Sequence, residues 1–153
     1  MDYLKAKSNN TELNLDLILF LHKILLNNIN ENIAGRFREK DEFVRIGTFI
    51  AIPPKQIKKA LQNILLEYTG DLTNFFIEKI SKFHLGFETI HPFNDGNGRI
   101  GRVLLNFQLF KLGFPQIIIR NKEKKDYYLS FDEYRENKNT KREIRSFKRS
   151  RRN

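Results

Sequence analysis

Apolar residues recur at helical spacing through most of this 153-residue chain, and that periodicity limits its fold more than any other feature. Within residues 13–26, Leu17, Leu21 and Ile24 repeat three or four positions apart. Further helices are predicted over residues 53–68, 71–89 (with Asp71 as N-cap), 98–112 and 127–137. One domain of this length buries a core without covalent staples. The pattern predicts an all-α bundle.

Two segments have an extended pattern instead. Residues 43–52 place Val44, Ile46, Phe49, Ile50 and Ile52 around Gly47-Thr48, a pattern that predicts a short β-hairpin. Residues 116–120 are rich in isoleucine and follow Pro115, so a strand and a buried extended connection both remain open.

The composition excludes several classes of protein. The chain has no cysteine, which rules out a disulfide scaffold, a thiolate metal site and a cysteine nucleophile. Its first residues lack the basic-then-apolar layout of a secretory signal, and no apolar run reaches the ~18–20 residues of a membrane span. We therefore expect a cytoplasmic protein with no membrane contact.

The net charge of +10 is concentrated at the C-terminal end. Residues 135–153 hold nine Lys/Arg and two Asp/Glu, so we divide the chain into a domain at 1–134 and a basic tail at 135–153. Such a tail binds nucleic acid in some proteins, but Phe147 is its one aromatic residue able to stack on a base. A solvated extension is the favoured interpretation.

Residues 91–102 carry the chemistry, and they read His-Pro-Phe-Asn-Asp-Gly-Asn-Gly-Arg-Ile-Gly-Arg. Gly96 and Gly98 permit a tight turn and a close approach of ligand to backbone, directly before a helix whose N–H groups attract anions. Arg99 and Arg102 lie three residues apart, on one face of that helix. Two guanidinium groups beside backbone donors favour a polyphosphate over a single phosphate.

Two further side chains of this segment suit a phosphate reaction. A carboxylate at Asp95 would repel phosphates unless Mg²⁺ bridged them, and Mg²⁺ commonly binds one carboxylate together with phosphate oxygens. His91, with an unperturbed pKa near ~6.5, is a candidate general base. Each residue alone is more often structural; the combination and spacing carry the prediction.

The segment resembles the Fic motif, His-Pro-Phe-x-Asp/Glu-Gly-Asn-Gly-Arg-x-x-Arg, at every constrained position. The similarity extends over about residues 13–134 and includes His22, the segment 35–38, Pro53-Pro54 and His84. It implies a Fic-type helical bundle with a small β-hairpin flap. The activity it implies is transfer of AMP from ATP to a Tyr, Ser or Thr hydroxyl of a target protein, with release of pyrophosphate.

The resemblance also implies a role for each motif residue. His91 would deprotonate the hydroxyl, and Asp95 would bind Mg²⁺ at the α- and β-phosphates. Gly96, Asn97 and Gly98 would form an anion hole, with the Asn97 side chain turned toward the α-phosphate. Arg99 would hold the β-phosphate and Arg102 the γ-phosphate. The family's Doc branch, which transfers phosphate, has Lys at the position of Gly98, so glycine favours nucleotidyl transfer.

The hairpin corresponds to the flap that pairs with the target by β-strand addition. Its docking residues would be Gly47, Thr48, Phe49, Ile50 and Ala51. The alternative is that Val44, Ile46 and Phe49 only seal the core.

Relatives are often inhibited by a helix with the pattern Ser/Thr-x-x-x-Glu-Gly/Asn. Residues 8–13 and 132–137 match it only in part, so we expect the inhibitory glutamate to be absent, or to come from a separate antitoxin-like partner. Alternative functions are transfer of UMP, phosphate or phosphocholine, and a non-catalytic nucleotide-binding module whose basic tail binds nucleic acid.

Overall fold

Six α-helices and one two-stranded hairpin make up the part of the chain that the computed structural model describes, residues 10–69 and 75–150. The elements are α1 (Leu15–Leu26), β1 (Arg45–Ile46), β2 (Phe49–Ile50), α2 (Pro54–Thr69), α3 (Phe76–Ile90), α4 (Asn97–Lys111), a 3-10 turn (Asn121–Glu123), α5 (Lys124–Asn137) and α6 (Lys141–Ser150). The predicted all-α bundle with a small hairpin is confirmed. Across residues 10–69 and 75–150, no helix has both the length and the apolar character needed to cross a bilayer.

Helix α3 is the centre of the bundle. It packs against α2, α4, α5 and α6, and its buried residues lie on all sides of the helix. Ile80, Phe83 and Phe87 join the main core, while Leu85 packs with Tyr127 of α5 in a smaller cluster. A helix that is apolar on every face is stable only when its neighbours surround it. The motif that follows α3 is therefore held by the best-packed element of the fold.

The hairpin closes with a two-residue turn at Gly47-Thr48. Arg45 pairs with Ile50 and Ile46 with Phe49. Gly47 has φ of +60°, the value that a turn with glycine at its first central position requires. Only four residues are paired as strands, so the hairpin depends on its contacts with the helical body.

The structure decides one open expectation and leaves another outside the described residues. The predicted N-cap Asp71 lies outside the described residues, and α3 is observed from Phe76. Residues 116–120 form no strand. The side-chain amide of Asn106 instead accepts from the Ile117 N–H at 2.7 Å and donates to the Ile117 carbonyl at 3.1 Å. A side chain thus satisfies the backbone groups that a partner strand would otherwise pair.

The predicted boundary between residues 134 and 135 falls inside α5, and the predicted solvated extension is wrong as far as residue 150. Helix α6 packs against α3 and α5, and Phe147 is 2% exposed within the main core. Glu143 and Phe147 lie four positions apart on α6 and face inward together. Charge at the other positions hid this amphipathic pattern.

Candidate functional site

His91 occupies a strained position between α3 and the motif loop. Its backbone is left-handed, with φ of +51°, and its N–H donates to the Phe87 carbonyl at 3.0 Å to end α3. A non-glycine residue in this region costs about 1 kcal/mol or more and persists only where the surroundings impose it. Such strain is typical of functional sites.

The imidazole of His91 has the tautomer and the charge state that allow it to accept a proton. Its Nδ1 lies 3.3 Å from the backbone carbonyl of Glu88. A carbonyl only accepts, so the proton belongs on Nδ1 and the lone pair on Nε2. Burial lowers the pKa of His91 from its ordinary value of 6.5. The ring is therefore neutral at physiological pH, with Nε2 able to accept a proton.

The motif loop ends at Gly96, the N-cap of α4, which has φ of +83°. The Asn97 side chain accepts from the Phe93 N–H at 2.9 Å and donates to the Phe93 carbonyl at 2.7 Å, so both ends of its amide brace the loop. Its orientation toward an α-phosphate stays a prediction. The backbone N–H of Asn97 still lies in the first turn of α4, where N–H groups lack partners within the helix.

A cavity of about 170 Å³ lies beside the start of α4. It brings together His91, Gly98 and Arg102 from the motif. The other lining residues are Ile46, Glu88, Tyr127, Tyr128, Phe131 and Arg135. The positive end of α4 and the Arg102 guanidinium thus share one cavity with the neutral imidazole of His91. The first two attract an anionic ligand, and the imidazole can accept a proton from a group beside that ligand.

Asp95 and Arg99 lie apart from that cavity lining and pair with each other. Arg99 Nη2 is 3.0 Å from Asp95 Oδ2, and the second carboxylate oxygen accepts from the Gly96 N–H at 2.6 Å. The side chain of Arg99 is 43% exposed and that of Asp95 is 61% exposed, so this ion pair contributes little to stability. Both side chains can leave it for a ligand at small cost.

Arg38 is a structural part of the site, and in sequence it was noted only as a member of the segment 35–38 that resembles the family. It is buried, and its guanidinium donates to the carbonyls of His91 at 2.8 Å, Glu42 at 2.9 Å and Ile52 at 2.9 Å. Its own N–H donates to the Pro92 carbonyl. One side chain thereby joins the motif loop to both ends of the hairpin segment.

His22 braces the same loop from α1. The Gly35 N–H donates to its Nδ1 at 3.0 Å, so the proton lies on Nε2, which donates to the Asp95 carbonyl at 3.0 Å. Its ring stacks on Phe93, with centroids 3.7 Å apart. Burial lowers the pKa of His22, in agreement with a neutral ring. The family resemblance pointed to this residue, but sequence spacing did not.

Sequence reasoning found only part of the cavity wall that α5 contributes. For Tyr127 and Tyr128 it left two roles open, contact with the nucleotide base and packing in the core. Tyr127 is 1% exposed and Tyr128 is 54% exposed. Arg135, which was assigned to the tail, lines the cavity and lies 4.8 Å over the ring of Phe49. Its one signal in sequence was the i, i+4 spacing from Phe131 on the same helix face.

The flap residues fall into two groups. Gly47, Thr48 and Ile50 are exposed at the tip and edge of the hairpin, whereas Ile46 lines the cavity and Phe49 is half-buried beneath Arg135. Ala51 is buried, and its N–H donates to the Val44 carbonyl at 3.0 Å. Docking through Ala51 is therefore not supported, because both its side chain and its N–H are already engaged.

The two partial matches to an inhibitory pattern do not reach Arg102. Residues 8 and 9 lie outside the described chain, and Glu12 is exposed. Glu136 is exposed on α5. The Arg102 guanidinium instead interacts with the hydroxyl of Tyr127.

Comparison with known proteins identifies the family. Residues 12–109, which include the whole motif, match the model of the Fic/DOC family. Protein adenylyltransferase fic-1 of Caenorhabditis elegans is 35% identical over 121 residues, covering 78% of this chain and 23% of that protein. A probable protein adenylyltransferase of Aquifex aeolicus is 34% identical over 108 residues, covering 71% and 33%.

Solved structures agree. Fic-1 from C. elegans superimposes with a TM-score of 0.78 at 27% identity, covering 95% of this chain and 45% of the other. A Fic-domain signalling protein from Bacteroides thetaiotaomicron gives 0.74 at 25% identity, covering 86% and 52%. The chain spans about a quarter to a third of the curated relatives named here. By sequence and by fold, the chain belongs to the Fic/DOC family.

Proposed function

We propose that this chain is a protein adenylyltransferase that transfers AMP from ATP to a hydroxyl side chain of a target protein. The observation that carries the proposal is the shared cavity of His91, Gly98 and Arg102 at the N-terminus of α4. Relatives named protein adenylyltransferase at 34–35% identity support the same activity.

The roles follow from charge and geometry. Nε2 of the neutral His91 accepts the proton of the attacking hydroxyl, whose oxygen bonds to the α-phosphorus while the bond to the pyrophosphate oxygen breaks. The backbone N–H groups of the first turn of α4 and the guanidinium of Arg102 stabilise the charge that develops on the phosphates. Arg99 exchanges its exposed contact with Asp95 for a phosphate oxygen.

Mg²⁺ fits the donor set at Asp95. The described residues contain no cluster of three or more His, Asp or Glu that would form an all-protein metal site. One exposed carboxylate beside a phosphate site is the arrangement in which Mg²⁺ binds with the nucleotide. Asp95 would hold the ion, which supplies charge neutralisation of the phosphates.

The exposed edge of the hairpin is the proposed place for the acceptor segment. Gly47, Thr48 and Ile50 are exposed on the hairpin, and Ile46 of the same hairpin lines the cavity together with His91. An extended target segment added to this edge would bring its hydroxyl toward Nε2. Inhibition by a separate partner stays a prediction, and growth arrest by this chain compared with its His91→Ala variant would test it.

The decisive experiment uses ATP labelled at the α-phosphate, with Mg²⁺ and a cell lysate. We expect a labelled protein band with the wild type, none with His91→Ala, and an undiminished band with Lys148→Ala, an exposed change on α6. Label from the γ-phosphate instead would indicate phosphate transfer, and competition by UTP would test the choice of base. Nucleotide binding with no labelled protein would favour the non-catalytic alternative.

A further inference from the structure

A buried acid–base cluster connects the C-terminal helix to the active-site cavity. Glu143 of α6 and His84 of α3 have no side-chain exposure, and Glu143 Oε1 lies 2.5 Å from His84 Nδ1. On the other side of the ring, His84 Nε2 is 3.7 Å from Glu88 Oε1 and 3.3 Å from the hydroxyl of Tyr127. Glu88 and Tyr127 both line the cavity.

Stability alone does not account for this cluster. Helix α6 is already docked by Phe147, and removing carboxylates from water costs several kcal/mol each. Apolar residues of similar volume commonly make a protein as stable as a buried ion pair does. A buried carboxylate of α6 directed at an imidazole therefore indicates another role.

The far end of the cluster is Arg102. A Cβ built on Gly98 would lie 3.3 Å from Arg102 Nη1 and 4.0 Å from Glu88 Oε1, so the two charged groups face the same point. A Cβ on Gly101 would lie 2.3 Å from Glu88 Oε1, so glycine there lets the carboxylate approach α4. Among the described residues, no donor lies within hydrogen-bond distance of Glu88 Oε1.

Acidic and basic groups alternate along the cluster. Burial lowers the pKa of His84, but the Glu143 and Glu88 carboxyl groups together outweigh it and the net pKa is raised, which favours the imidazolium. Burial raises the pKa of Glu88, and the attraction of His84 and Arg102 offsets this only in part, so its net pKa stays above the ordinary value. Burial raises the pKa of Glu143 in the same way. Glu88 thus lies between His84 and Arg102, and the proposed function requires Arg102 for phosphate.

We propose that Glu143 is a positioning residue of the nucleotide site: it keeps His84 charged, His84 holds Glu88, and Arg102 is left available for the terminal phosphate of ATP. The inference rests on the proposed function for the identity of the ligand. Without the Glu143 charge, His84 becomes neutral and the Glu88 carboxylate turns to Arg102, where it competes with phosphate.

The test measures binding of ATP and of AMP by calorimetry to the full chain. We expect Glu143→Gln to weaken ATP binding about tenfold and to change AMP binding less than about twofold, since AMP has no terminal phosphate. Adding Glu88→Gln to Glu143→Gln is expected to restore ATP binding to within about threefold of wild type, because the competing charge is gone. A merely structural role would not be rescued by a second change in the core.

Glu133→Gln is the matched control. Glu133 also ties α5 to α6, by an ion pair with Arg142 at 2.6 Å, but its side chain is 30% exposed and does not contact His84. We expect it to leave both affinities unchanged. An effect on ATP binding equal to that of Glu143→Gln would overturn the proposal.

The double variant Glu143→Leu with His84→Leu keeps the test decisive if Glu143→Gln folds poorly. The apolar pair fills the same volume, and we expect a folded protein with the same loss of ATP binding. Wild-type affinity for ATP in either variant, or failure of Glu88→Gln to rescue, overturns the proposal. If the wild type binds ATP but labels no protein, the proposed function fails, and the binding comparison still decides this inference.

Discussion

At the scale of single residues, the site depends on side chains that hold backbone carbonyls. The carbonyls of Glu88, His91 and Asp95 each accept from a side chain: His91, Arg38 and His22 respectively. The Glu88 carbonyl lacks a regular helix partner because residue 92, four positions on, is a proline without an N–H. The motif supplies the reactive groups, and residues distant in sequence keep its backbone in place.

Arg38→Met is expected to destabilise the fold by about 2–4 kcal/mol. The guanidinium satisfies the carbonyls of His91, Glu42 and Ile52 in a buried position, and methionine would leave them without a donor. Urea unfolding followed by circular dichroism gives the free energy. Arg45→Met, an exposed change in β1, should cost less than about 0.5 kcal/mol. Equal losses for the two variants would contradict the role of Arg38.

The pH profile of transfer should report the lowered pKa of His91. Because burial favours the neutral ring, the acid limb of kcat/KM should have its midpoint below pH 6.5. The sign follows from the base being active when unprotonated. Initial rates with α-labelled ATP measure the profile, with circular dichroism at each pH to exclude unfolding. An acid limb with its midpoint above 6.5 would show that His91 is not held neutral by burial.

At the scale of elements, the sequence predicted what local patterns determine. Three elements each contain a residue that sets the local backbone: the hairpin at 43–52, the helix after Pro53 and the start of α4 beside Gly96. Partners far along the chain decide the rest: Asn106 selects an extended connection over a strand at 116–120, and α3 packs against α6. The contact of the Asn97 side chain with the Phe93 backbone is likewise one that spacing does not reveal.

Phe147→Ala tests the docking of α6. Phe147 is 2% exposed in the main core, so its truncation should cost about 3–5 kcal/mol and lower the melting temperature. Thermal unfolding by calorimetry measures the change. Lys148→Ala, one position along on the exposed face, should stay within about 0.5 kcal/mol of wild type. If both variants melted like the wild type, α6 would be the solvated tail that the charge pattern predicted.

At the scale of the whole molecule, the cavity is assembled from distant parts of the chain. The motif lies between α3 and α4, the hairpin contributes Ile46, and α5 contributes Tyr127 and Arg135. Helix α1 does not line the cavity but fastens the loop from behind. The site and the core are therefore one cooperative structure, and a substitution in α1 should alter the backbone position of the motif loop.

His22→Leu is the variant that measures this connection. Leucine fills most of the volume but leaves the Gly35 N–H and the Asp95 carbonyl without their partner and removes the stack on Phe93. We expect a loss of about 2–3 kcal/mol in the free energy of unfolding, and weaker ATP binding because the backbone at Asp95 moves. Lys23→Leu, on the exposed side of α1, controls for the added apolar surface.

Burial lowers the pKa of His22, so the folded state gains stability from the neutral ring above pH 6.5 and loses it as the pH falls through the lowered pKa. The difference between wild type and His22→Leu should therefore shrink toward acid pH, and a difference that is constant with pH would show that the ring does not titrate as its burial requires.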